Sequence, residues 1–279
     1  MLKTLFAVAA ITFGSAALAQ DRWAAIPEPA EMPAATESGI APVNGIGMYY
    51  AIYGEGGGVP VLMIHGGLGH GDLWAGQVAD LMPDHRVIVA DTRGHGRSSN
   101  DGSTYSYDLL ASDYLALLDH LGVDRVHLVG WSDGANIGYA ISQAAPLRLA
   151  SHFAHAGNVT LDGIDPSVET DAVFGAYVAM MAEDYAAMSP TPDGFEAFLG
   201  GIAAMWGTEK PGGVESLKTI AVPTLVVQSD HDEAIRMEHA QLIADTVPGA
   251  GLMVLDGVSH FAMLQAPDEY TAAIRAFVD

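Results

Sequence analysis

Residues 130–134 read Gly130-Trp131-Ser132-Asp133-Gly134, directly after the apolar run Val126-His127-Leu128-Val129 and directly before Ala135-Asn136-Ile137-Gly138-Tyr139-Ala140. A short apolar run followed by a helix-forming stretch places the pentad at a strand-to-helix junction. A turn this tight brings the strand and the returning helix too close for side chains two residues on either side of the serine, so glycine is required at 130 and 134. Ser132 must then adopt a strained backbone conformation, and its hydroxyl is thrust out at the carboxyl end of the strand.

The surrounding chain supplies the sheet that such a junction needs. Ile40 to Val43, then Asn44-Gly45, then Met48 to Tyr53 read as a hairpin. Val59-Pro60-Val61-Leu62-Met63-Ile64 is a continuous apolar run, as expected of a strand buried on both faces. Arg86–Ala90, 126–129, 149–155, Thr224–Gln228 and Leu252–Leu255 read as further strands. Between them, Leu110, Tyr114, Leu117, Leu118 and Leu121 mark a helix, a second falls near 236–246, and a final one starts at about Pro267. The alternation predicts an α/β fold with a mostly parallel central sheet and helices on both faces. From about Val159 to Lys218 it lapses. There, two amphipathic helices carry Val173, Phe174, Tyr177, Val178, Met181, Tyr185 and Met188, and Phe195, Phe198, Leu199, Ile202, Met205 and Trp206. This predicts a small helical cap inserted in the domain, with Met180, Met181, Met188, Met205 and Trp206 as candidates to line an acyl pocket and most of them expected in the cap core.

Residues 1–19 combine a positive start, an apolar stretch and Ala17-Leu18-Ala19, the pattern of a secretory signal peptide. The expected product is exported, periplasmic or secreted, and no later stretch approaches the ~20 apolar residues of a membrane span. Residues 20–37, with Pro27, Pro29 and Pro33, read as a flexible leader, and 38–279 as the folded domain. A net charge of −23 disfavours nucleic-acid partners. The absence of cysteine excludes disulfides, a thiol nucleophile and thiolate metal sites.

Five motifs occur in order: His65-Gly66-Gly67-Leu68-Gly69, the run Asp91-Thr92-Arg93-Gly94-His95-Gly96-Arg97-Ser98, the 130–134 pentad, Ser229-Asp230-His231-Asp232-Glu233, and Asp256-Gly257-Val258-Ser259-His260-Phe261. A serine hydroxyl needs a base in hydrogen-bond reach and an acid to orient that base. His260 lies just beyond the last strand, where a loop can fold back over Ser132. His152 and His155 lie in a strand, His239 in a helix, and His65 reads as a loop-packing residue. Asp230, Asp232 and Glu233 are all candidate acids, and spacing does not choose among them. Asn158, after the preceding strand, is no carboxylate. The Asp91–Ser98 run reads as a structural loop pinned by Arg93 and Asp91, and four consecutive residues at 230–233 diverge too much to build a metal site.

From about residue 40 to 279 these motifs resemble the α/β-hydrolase superfamily. The G-W-S-D-G pentad and small cap are most similar to esterases of the valacyclovir hydrolase (biphenyl-hydrolase-like) group. The resemblance implies the order serine, acid, histidine, with Ser132 as nucleophile, Asp232 as acid and His260 as base; Asp230 then steadies the turn and Glu233 is exposed. It further implies an oxyanion hole from the N–H groups of Gly67 and Asp133, no cofactor and no metal. Asp133, Leu68 and Trp131 are the candidate substrate contacts, Asp133 toward a cationic ester. The expected function is hydrolysis of small carboxylic esters through an acyl-enzyme. Lactonase or cofactor-free haloperoxidase activity on the same residues is the alternative, and a non-catalytic ligand-binding protein of this fold is the reading from a different class.

Overall fold

The structure is a computed structural model that describes residues 21–208 and 213–279. The signal peptide expected at residues 1–19 lies outside the described residues. Among those described, eight strands form one sheet: β1 (Glu37–Val43), β2 (Ile46–Tyr53), β3 (Val61–Ile64), β4 (Val87–Ala90), β5 (Val126–Trp131), β6 (Leu149–His155), β7 (Thr224–Ser229) and β8 (Gly251–Leu255), in spatial order β1-β2-β4-β3-β5-β6-β7-β8. The Asn44-Gly45 hairpin sits where expected: Val43 pairs with Ile46, and the two turn residues take φ of 44° and 84°, the left-handed pair that matches strand twist. β2 runs antiparallel to β4, and from β4 to β8 every neighbouring pair is parallel.

The four residues of β3 and the four of β4 are all buried. The sheet is flanked by α1 (Ala75–Leu81), α2 (Tyr107–His120), α3 (Asp133–Ala144), α7 (Met237–Thr246), α8 (Ala262–Gln265) and α9 (Pro267–Val278), with α3 against β3, β5 and β6 and α7 against β7 and β8. From β3 the chain moves outward to β4 and then crosses to β5 on the other side of β3, so the order reverses there. At such a reversal the loops leaving the carboxyl ends diverge and open a crevice. The β3 loop carrying His65–Gly69 and the β5 pentad carrying Ser132 flank that crevice.

The insertion between β6 and β7 holds α4 (Ala172–Met188), α5 (Phe195–Trp206) and α6 (Gly213–Leu217). Asp171 caps α4 by accepting from the N–H groups of Val173 and Phe174 at 2.8 and 2.9 Å. The buried residues of α4, Tyr177, Met181 and Tyr185, recur every four positions, and α5 likewise buries Phe198, Ile202 and Met205. Tyr185 and Phe198 stack at 5.0 Å.

Residues 21–36, expected to be a flexible leader, are laid onto the domain. Arg22 donates to Glu269 at 2.8 Å and to the Asp256 carbonyl at 3.0 Å. Trp23 stacks on His231 at 4.6 Å, and Gln265 donates to the Ala25 carbonyl at 2.9 Å. The proline content does set the segment's extended path, but Trp23, Ile26 and Met32 give it apolar anchors. Among the described residues no helix is long and apolar enough to cross a membrane.

Candidate active site

Ser132 has φ 55° and ψ −117°, the strained conformation demanded of it, with its N–H donating to the His155 carbonyl at 2.8 Å. The flanking glycines are there for space. A Cβ on Gly130 would collide with the Gly134 carbonyl, and one on Gly134 with the Ile64 carbonyl. Gly66 brings the β3 loop against the pentad: a Cβ there would stand 2.9 Å from the Trp131 ring and 3.1 Å from the Ser132 Cβ.

His260 enters from the loop after β8 and presents Nδ1 to both oxygens of Asp232, at 3.0 and 3.1 Å. Asp232 is fixed in turn by the N–H groups of Ala234 and Ile235 at 2.9 and 2.8 Å. Both side chains are almost fully buried, at 3% and 1% exposure. Burial works against charge on each. The Asp232 carboxylate nevertheless holds His260 above the ordinary histidine value, and His260 with the Ile235 N–H holds Asp232 below the ordinary carboxylate value. Of the candidate acids, then, it is Asp232 that meets His260. Asp230 accepts instead from the Val258 N–H at 3.3 Å. Glu233, expected to be exposed, is largely buried: its Oε2 accepts from the His260 N–H at 3.1 Å. Burial raises its pKa.

Asp133, the first residue of α3, is 5% exposed. Its Oδ1 accepts from the Tyr107 hydroxyl at 2.5 Å and its Oδ2 from the Trp206 indole at 2.8 Å. The carboxylate thereby ties the pentad to α2 and to the cap. Its N–H belongs to the first turn of a helix, where donors lack intrahelical partners. Gly67 lies against it: a Cβ at 67 would stand 2.5 Å from Asp133 Oδ2 and 2.5 Å from the Trp206 ring. The Gly67 carbonyl accepts from the Tyr177 hydroxyl at 2.8 Å.

A cavity of about 630 Å³ opens over these groups, lined by Ser132, Asp133 and His260 at its base and by Ile164, Phe174, Val178, Leu199 and Trp206 among its walls. Leu68 and Trp131 do not line it. Leu68, at φ 66°, is 3% exposed, and Trp131 is 1% exposed because its ring is enclosed by Tyr177, His260 and Phe261 at 5.5–5.7 Å. They support the site from below and do not form its walls. Met181 and Met205 are buried in the cap core as expected, Met180 and Met188 are only partly buried, and Trp206 lines the cavity. The wall residues Phe174, Val178 and Leu199 were read in the sequence only as cap stripe, and Tyr107 was not singled out at all. Its place as the first residue of α2 carried no signal of the partner it meets.

An α/beta hydrolase fold family model matches residues 59–197, which include the β3 loop, the pentad and the first half of the cap. The chain belongs to the α/β-hydrolase superfamily. This α/β hydrolase is 27% identical over 254 residues to RutD of Azorhizobium caulinodans, a proposed carbamate hydrolase, covering 82% of this chain and 94% of the relative. It is 28% identical to the non-heme chloroperoxidase CPO-A1 of Kitasatospora aureofaciens, covering 78% and 90%. Among solved structures it resembles Est816, an N-acyl homoserine lactone degrading enzyme, at 29% identity with a TM-score of 0.67, covering 87% of this chain and 100% of that one.

His65, His239, His152 and His155, set aside as bases in the sequence, are held within the packing of the hydrolase. His65 accepts from the Thr92 N–H at 3.0 Å, and His239 accepts from the Val159 N–H at 3.0 Å. His152 and His155, both in β6, are fully buried, His152 against Tyr139 of α3 and His155 against Tyr270 of α9. In the Asp91–Ser98 loop, Arg93 and Asp91 do the pinning through separate partners: Arg93 pairs with Asp113 of α2 at 2.7 Å, and Asp91 with Arg97 at 2.7 Å. Asn158 bonds Asn136, accepting its side-chain amide at 3.0 Å.

Proposed function

We propose that this α/β hydrolase is an exported serine hydrolase that cleaves small carboxylic esters through an acyl-enzyme. Ser132 Oγ attacks the ester carbonyl carbon while His260 Nε2 takes the serine proton. Asp232 holds the ring by Nδ1 and favours the imidazolium so formed. The N–H groups of Gly67 and Asp133 receive the carbonyl oxygen as it becomes anionic, aided by the amino end of α3. His260 returns the proton to the departing alcohol. Water then attacks the acyl-enzyme, with His260 again as base, and releases the acid and Ser132. The observation that carries this reading is the His260–Asp232 pair at 3.0 and 3.1 Å in one cavity with a strained Ser132. Export is supported by the composition of residues 1–19.

The cavity narrows the substrate. Its walls are mostly apolar, and among the described residues its charged lining groups are the carboxylates of Asp133 and Glu169, with no lysine or arginine. Neutral or cationic acyl esters therefore suit it better than substrates bearing a free carboxylate. A lactone is the second reading, favoured by that apolar wall and by the similarity to Est816, whose own substrates are acylated lactones.

Ser132→Ala is expected to lower turnover of a short-chain nitrophenyl ester by at least about 10³-fold while the thermal unfolding curve is retained. A fluorophosphonate probe should label the parent at Ser132 and leave the variant unlabelled. Unchanged turnover, or a parent that the probe never modifies, would overturn the enzyme reading in favour of a non-catalytic binder. Running the same pair of proteins on an acyl lactone separates the two substrate readings.

A further inference from the structure

Two consecutive carboxylates hold one histidine. Asp232 takes the ring of His260 at Nδ1, and Glu233 takes its main chain, with Oε2 accepting from the His260 N–H at 3.1 Å. The second oxygen of Glu233, Oε1, is buried and meets no hydrogen-bond donor among the described residues. If anchoring the loop were all that was required, a neutral amide oxygen would serve. A carboxylate with a desolvated, unpartnered oxygen costs free energy that a structural role does not recover. Such a cost is borne where a positive charge forms and has to be met, and His260 is where the proposed reaction forms one.

We propose that Glu233 is a positioning residue for His260, seating the 256–261 loop through the main-chain N–H and supplying a second negative charge that favours the imidazolium. This rests on His260 acting as the base. The charged and titratable groups around His260 are Asp232 on its ring edge, Asp133 in the same cavity and His155 of β6 behind Asp232. Asp133 has its two oxygens engaged by Tyr107 and Trp206. His155 is held neutral by burial. Glu233 is the carboxylate in this group with an oxygen left over. The ionised Glu233 raises His260, while burial raises Glu233 itself, so its contribution grows as the pH climbs through its own titration.

The test is the titration of the His260 ring, followed by NMR of ring-labelled protein, in the parent and in Glu233→Gln. The amide keeps an acceptor for the His260 N–H and removes the charge. The His260 midpoint should fall by roughly half a pH unit or more, and the acid limb of kcat/KM should move down with it. The pH-independent kcat should drop about 3- to 10-fold with little change in KM. Glu233→Asp, which keeps the charge, should leave the ring midpoint near that of the parent even where the shorter side chain loosens the loop. A Glu233→Gln titration superimposable on the parent overturns the proposal, as does an equal shift in Glu233→Asp. The ring titration needs no turnover, so it still reads Glu233 if the chain proves inactive on esters. A parent that labels at Ser132 but shows no Glu233 effect leaves the hydrolase reading standing and removes this one.

Discussion

Lowering the pH from 6.5 to 5 is expected to remove much of this protein's stability through histidines that take no part in the chemistry. His65, His95, His152 and His155 are each at most 2% exposed. Burial pushes His65 down to about 4 and the other three to about 3. An unfolded histidine titrates near 6.5. Below that value the unfolded chain takes up protons that the folded chain refuses, so stability is full above pH 6.5 and falls as the pH drops toward the folded values. Between pH 6.5 and 5 each ring costs about 1 to 2 kcal/mol, and the four together several kcal/mol, a large share of the stability of an ordinary domain. His260 runs the other way, since its raised value adds stability below 6.5 that is lost only as the pH rises through the folded value. Urea unfolding followed by circular dichroism at half-unit steps measures the slope directly. His152, whose two ring nitrogens have no hydrogen-bond partner among the described residues, is the cleanest probe. In His152→Leu the loss across this window should shrink by about 1 to 2 kcal/mol. A parent whose stability is flat within 1 kcal/mol, or a variant with the parent's slope, would refute the reasoning.

Two further outcomes test the packing around Ser132. Gly134→Ala places a methyl group on the Ile64 carbonyl, a backbone atom that cannot step aside; a loss of about 3 kcal/mol, read as a fall in Tm of about 6–12 °C, is expected, and an unchanged Tm would show that the strand and helix have room to separate. Trp206→Phe and Tyr107→Phe each strip one donor from the buried Asp133 carboxylate and should cost about 1.5–3 kcal/mol singly; in urea unfolding the double variant should depart from the sum by about 1 kcal/mol, and strict additivity would mean that the two oxygens do not share one network.

The strands and the pentad were legible because their signals are local. A four-residue apolar run, an Asn-Gly pair and a glycine on each side of Ser132 act within a few residues of where they stand. The acid was harder. Asp230, Asp232 and Glu233 are adjacent, and what separates them is the direction each side chain leaves the turn, which depends on the loop bearing His260 nearly thirty residues later. Glu233 read as exposed because a glutamate beside a turn usually reaches water; here the His260 N–H draws it inward. Leu68 and Trp131 are sequence neighbours of the site, yet a residue next to Ser132 in a strand points to the other face, and Trp131 is packed under His260. The cap gave its helices through their periodicity but not its cavity-facing side, because α4 is apolar on more than one face and only the position of the sheet below decides which residues look into the opening.

The segment from Arg22 to Met32 gives the domain a different beginning from the one its prolines suggest. Arg22 reaches the carbonyl of Asp256 at the entrance to the His260 loop, Trp23 lies flat on His231 between the two aspartates of the acid turn, and Gln265 grips Ala25 while its other amide atom accepts from the Ser259 N–H at 2.7 Å. An expression boundary drawn at residue 37, where the sheet starts, would strip an outer brace from both loops that bring His260 and Asp232 together, whereas one drawn just ahead of Asp21 keeps it.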